Sequence, residues 1–141
     1  MKNLDVVKSI EIPESNDTKD EMFTHDGTSF YGNLVNVKIP EGFTSIGSSA
    51  FSSCTSLTSV NIPNSVASIG NQAFYGCTSL TSINIPYGVT TIGYQGFTSC
   101  TSLKTINFKG TEDQWNAITK GPDWNKNCPS DMQIICNYQG E

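Results

Sequence analysis

Four leucines, Leu34, Leu57, Leu80 and Leu103, stand 23 residues apart, and each opens the same pattern, Leu-x-x-Val/Ile-x-Ile/Phe. Behind them run further columns in the same frame: Pro40, Pro63 and Pro86; Phe43, Val66 and Val89; Ile46, Ile69 and Ile92; Gly47, Gly70 and Gly93. Ala50, Ala73 and Gly96 come next, followed by Phe51, Phe74 and Phe97 and then by Cys54, Cys77 and Cys100. Upstream, Val7, Ile10, Ile12 and Pro13 repeat the opening motif 27 residues before Leu34, so the first unit carries four extra residues and is otherwise degenerate. No single row can bury its apolar residues alone. Stacked rows bury them together, as ladders of identical side chains along one core, which makes the chain a solenoid.

Within a row, alternation places Val60 and Ile62 inward on a short strand and Ser59 and Asn61 outward. Pro63 ends that strand because it has no N–H to donate. Residues 66–69 then return along the opposite face, Gly70 permits the next turn, and Ala73 with Phe74 is expected in a short helical turn. Strands of neighbouring rows are expected to pair in parallel, about 4.8 Å apart.

The combination of Ile-Pro, Ile-Gly and Ala-Phe-x-x-Cys elements, clearest over residues 34–108, resembles the BspA-like, or treponemal-type, leucine-rich repeats, found mainly in bacterial surface proteins. Commoner leucine-rich repeats place Asn or Cys at the ninth position; here it holds Gly42, Ser65 and Gly88. The Gly110-Thr111-x-x-x-Trp115 segment is also similar to the ends of such arrays. The expected fold is an α+β repeat solenoid. It is a right-handed stack with short parallel strands on one face, short helical turns opposite and a C-terminal helix-plus-strand cap. The whole of 1–141 reads as one domain, with an irregular N-terminal repeat over 1–33, regular repeats over 34–108 and the cap over 109–141. The resemblance implies a secreted or cell-surface protein that acts in adhesion or host interaction.

Charge narrows the partners. The 13 acidic residues outnumber 8 basic ones, all lysines, for a net charge of -5, and residues 42–103 carry no charge at all. A nucleic-acid surface needs clustered cations, and arginine is the residue best shaped for phosphate; neither is present, and anionic membranes are disfavoured for the same reason. No apolar run is long enough to span a bilayer, and the start Met1-Lys2-Asn3-Leu4-Asp5 lacks the hydrophobic segment of a secretory signal. A motif that begins at Val7 with almost nothing before it is expected of a segment cut from a longer precursor.

An open solenoid end needs a cover. Thr111 with Gln114 reads as a capping box, Glu112 and Asp113 suit a helix N-terminus, Trp115 and Ile118 share one face, and Lys120-Gly121-Pro122 reads as a stop. Trp124 and the strand-like residues 132–136 then close the end. Two buried tryptophans meet the structural need directly; exposed, they would form a sugar-stacking platform, the lesser reading.

Chemistry is harder to find. Cys54, Cys77 and Cys100 invite a metal or a disulfide, but a 23-residue spacing fits no zinc pattern and three side-by-side thiols cannot all pair, so they read as small core residues. Cys128 and Cys136 are left as a pair able to bridge in an oxidising compartment. His25 beside Asp26 reads as a turn histidine, and the acidic run 14–21 lacks calcium-loop spacing and reads as a solvated loop. No nucleophile, base and orienting group converge, so neither catalysis nor a metal or cofactor is expected.

What remains is the outward, concave face of the strands. Asn36, Ser59, Ser82 and Thr105 form one row on it, Lys38, Asn61, Asn84 and Asn107 another, with Tyr87 at the edge. Such a rigid, neutral face suits a protein or glycan partner. The competing readings are that these side chains simply meet water, with stacked asparagines bonding one another, or that the repeats are a spacer in a longer chain.

Overall fold

A computed structural model describes residues 9–11 and 35–140, so the readings for His25, Asp26 and the acidic run 14–21 lie outside the described residues. The strands are β1 (Ser9–Glu11), β2 (Asn36–Lys38), β3 (Ser45–Ile46), β4 (Ser59–Asn61), β5 (Ser68–Ile69), β6 (Ser82–Ile85), β7 (Thr91–Ile92) and β8 (Thr105–Phe108); after helix α1 (Glu112–Ala117) come β9 (Thr119–Lys120) and β10 (Gln133–Ile135). Every pairing is parallel, and successive rows pair at the repeat interval: Val37 lies opposite Val60, Ile69 opposite Ile92 and Ile83 opposite Ile106. The degenerate first unit obeys the same rule with its longer spacing, Ile10 pairing with Val37.

Three ladders hold the rows together. The front is built from β1-β2-β4 and β6-β8-β10, and the back from β3-β5-β7-β9. The back sheet runs unbroken. The front one does not, because no strand pairing joins β4 to β6. Val60 and Ile62, at 7 % and 6 % exposure, are the least buried of the inward front residues in the regular rows, as a gap between strands requires.

The third ladder replaces the expected helical turns. Ala73, Tyr75 and Cys77 donate to the carbonyls three residues back, Gly70, Gln72 and Phe74. The amides between them instead reach the next row: Gln72 to Tyr94, Phe74 to Gly96 and Gly76 to Thr98. The same alternation recurs from Ser49 to Ser53 and from Gln95 to Ser99. Left-handed residues impose it, with φ of 57° at Gln72 and 74° at Gly76 and equivalents at Ser49, Ser53, Gln95 and Ser99. The amides of these residues, and of the phenylalanine between each pair, point to the next row, so no helical run propagates.

The core between the ladders is made of columns. Phe51, Phe74 and Phe97 stack with centroids 5.5 and 5.2 Å apart. Cys77 and Cys100 are fully buried, and each thiol donates to a phenylalanine carbonyl of the preceding row, Phe51 and Phe74. The glycine column admits no side chain, since even a Cβ on Gly70 would fall 2.8 Å from the backbone of Gly47.

The C-terminal segment is one more row with an insertion. Thr105 pairs with Gln133 and Ile106 with Ile134, an interval of 28 residues that contains α1. Its capping box forms as the sequence predicts, Thr111 receiving the Gln114 amide and Gln114 the Thr111 amide. The helix stops earlier than the Lys120-Gly121-Pro122 signal, at Ala117, because Ile118 turns into the core and residues 119–120 join the back sheet. Past β9 the third ladder resumes, with Gln95, Phe97 and Ser99 donating to Pro122, Trp124 and Lys126. Trp124 thus holds the backbone place of Ala73 and Gly96, and its ring closes over Phe97 (6.4 Å) and Trp115 (5.9 Å). Trp115 is itself buried against Phe108.

Candidate binding faces

Parallel pairing in register carries the outward residues of the front strands into two rows. Asn36, Lys38, Ser59 and Asn61 are exposed, while Ser82, Asn84 and Thr105 are half-buried. Asn107 is 8 % exposed and donates from Nδ2 to Asn84 Oδ1 at 2.9 Å, so at this junction the asparagines do bond one another. The accessible polar surface is therefore concentrated towards β2 and β4. Tyr87, at 56 % exposure, stands apart from both rows and borders a cavity of about 140 Å³ with Val89, Gln114 and Ile118.

Two outward residues escape the sequence reading. Gln133 and Ile135 extend the rows on β10, and Ile135 is 40 % exposed. Their signal was the match of Ile134 to Ile106, hidden by the longer interval.

The gap between β4 and β6 opens onto this face. It is a polar slot of about 100 Å³, lined by Thr58, Ser59, Val60, Ser82, Ile83 and Asn84. The Thr58 and Ser59 amides turn away to Val35 O, but among the described residues no strand pairing joins the facing edges of β4 and β6 across the slot, which leaves edge main-chain groups open to whatever enters it.

On the back lies a larger feature. A shallow groove of about 510 Å³ crosses four rows, from Ser48 through Ser68 and Thr91 to Thr119. Gly70, Gly93 and Gly121 floor it, and Asn71, Tyr94 and Pro122 form its side. No charged side chain lines it.

The thiols stay single among the described residues. Burial pushes Cys54 up to about 12 and Cys128 up to about 11, and a hydrogen bond with Cys100, then burial, drives Cys77 well above its ordinary value. Such thiols are protonated and poor nucleophiles. Cys128 continues the cysteine column, donating to Phe97 O at 3.1 Å, whereas Cys136 follows β10 on the front. Lys120 occupies the place of Ile92 on the back sheet; burial lowers its pKa, and its amine donates to the carbonyls of Trp115 and Ile118. Among the described residues, no group of three or more His, Cys, Asp or Glu side chains is placed to hold a metal ion.

Stacked parallel rows with in-register columns define a solenoid of leucine-rich-repeat type. The BspA type leucine-rich repeat region matches residues 28–120 in six copies, and the chain belongs to that family. A T. pallidum leucine-rich repeat protein has the same fold (TM-score 0.64, 25 % identity, covering 92 % of this chain and 51 % of that one). So does the pneumococcal vaccine antigen PcpA, with a TM-score of 0.68 and 22 % identity over 95 % of this chain and 31 % of that one. A leucine-rich cell surface protein from Faecalibacterium prausnitzii gives a TM-score of 0.54 and 28 % identity over 80 % of this chain and 35 % of that one. The chain spans half or less of the length of PcpA and the F. prausnitzii protein and about half of the T. pallidum protein. No curated protein matches it.

Proposed function

We propose that this chain is a non-enzymatic binding module of a secreted or cell-surface protein, and that it engages a protein partner through the front face. The likeness to a protein named as a cell-surface one supports the compartment. The observation that carries the binding site is the break between β4 and β6. There, strand edges without a pairing across the slot lie beside exposed Ser59 and Asn61 and half-buried Ser82 and Asn84, and the slot lining carries no charge. A polypeptide segment supplies matching amides and carbonyls to such a slot. The shielded thiols, and the lack of converging acid–base groups among the described residues, support a role without catalysis.

The test is the double substitution Asn61→Arg with Asn84→Arg, measured against a panel of extracellular proteins by surface-plasmon resonance. Asn61 is exposed, whereas Asn84 accepts from the nearly buried Asn107 amide, so the double variant should melt slightly below the parent, by no more than Asn84→Arg alone, while binding should fall about ten-fold or more. If every detected interaction survives, the front face is not the site and the repeats serve as a spacer.

A further inference from the structure

The back sheet carries a site of a different kind. We propose that the groove across β5, β7 and β9 binds a linear neutral polysaccharide, laid along the stack with about one sugar ring per row. Pairing in register sets Ser68, Thr91 and Thr119 in a column on the outer surface. All three line the groove, and none of their hydroxyls has a partner among the described residues. Beside them Asn71 Oδ1 accepts from the Tyr94 amide at 2.9 Å, which fixes the side chain and leaves its NH₂ group to donate outward. Tyr94 is 43 % exposed at the groove's edge. A fixed amide, spaced hydroxyls and an aromatic ring over an uncharged floor are the groups that neutral sugar hydroxyls and C–H faces require.

The repeat distance selects among ligands. Rows recur about every 4.8 Å, close to the length of one pyranose unit, so each successive ring meets the same hydroxyl. An extended peptide crossing the rows advances about 3.3 Å per residue and falls out of step at once. Nucleic acid and acidic glycans find no cation in the lining. The glycine floor is demanded by row packing and is not itself evidence for a ligand; the aromatic wall and unpartnered hydroxyls are not so demanded.

The experiment is an amide chemical-shift titration of the whole chain. The probes are neutral β-glucan, α-glucan, mannan and xylan oligosaccharides from disaccharide to hexasaccharide, with a hyaluronan hexasaccharide and a neutral Ser/Gly decapeptide as comparisons. At least one neutral series should shift the amides of Thr91, Gly93, Thr119 and Gly121 saturably, with millimolar affinity that tightens up to the tetrasaccharide, the length that covers four rows. Tyr94→Ala should weaken it about five-fold, and Thr91→Glu should abolish it; Tyr87→Ala, which lies off the groove, should leave it unchanged. Thr91 is exposed, so Thr91→Glu keeps the test valid should Tyr94→Ala disturb the fold. The proposal is overturned if no neutral oligosaccharide shifts these amides at about 10 mM, if the peptide or the acidic glycan binds equally well, or if both groove variants bind like the parent. Because the front-face residues are untouched, these outcomes are independent of the proposed protein partner.

Discussion

The rows that start at Leu34, Leu57 and Leu80 and the row that starts at Leu103 solve the same packing problem with different materials. In the former, like stacks on like: three isoleucines on the back, three phenylalanines in the core, three thiols beside them. In the latter, Lys120 stands where isoleucine stood, Trp124 takes the place of alanine or glycine, and of these columns only the thiol one continues unchanged, through Cys128. Yet the backbone hydrogen bonds of the back and third ladders recur row after row. A solenoid row is therefore specified by its main-chain ladder, and side-chain identity matters only as far as the volume is filled and the polar ends are met. A tryptophan fits at the end because no further row has to stack against it.

Removing the filling of the last row breaks this comparison most directly. Trp115 touches Phe108, Trp124 and the Lys120 amine, so Trp115→Ala should cost about 3–5 kcal/mol in chemical denaturation. An unchanged midpoint would mean that the last row is an appendage and not the lid of the core. The thiols come next. Their native pKa values are raised above the ordinary 9.0, to about 12 for Cys54 and about 11 for Cys128. The unfolded chain therefore loses these protons first as pH climbs. Stability should be intact well below pH 9 and fall as pH rises from 9 to about 11 for Cys128 and about 12 for Cys54, by at most about 1.4 kcal/mol per pH unit for each thiol. Cys77→Ala should flatten the slope more than Cys128→Ala, since Cys77 is fully buried and Cys128 half-buried. A urea midpoint independent of pH over this range refutes it. The smallest effect belongs to the helix cap: Thr111→Ala removes the acceptor for the Gln114 amide and should cost about 1 kcal/mol. Hydrogen exchange should place that loss in α1, leaving the regular rows protected.

The regular rows were legible because their columns repeat without gaps, and inward Val37, Val60, Ile83 and Ile106 are read from alternation alone. The last row was half legible. Its capping box is a local signal, but its place in the frame is masked by the inserted helix and by Lys120 and Trp124, neither of which resembles its column. The third ladder left no trace, since its left-handed residues are mostly serine and glutamine where glycine would have signalled a positive φ. The outward rows were placed correctly on the strands, yet the burial of Asn107 depends on β10, and the gap between β4 and β6 on main-chain spacing; no single residue reports either.

That gap has a mechanical consequence. A module held at one end and pulled along its axis bears the load at each junction between rows in turn. At the junction of β6 with β8 the front, back and third ladders share it; at the junction of β4 with β6 only the back and third ladders do. Under tension the stack should part there first, into two blocks, with the slot proposed to receive a partner lying on the line of rupture.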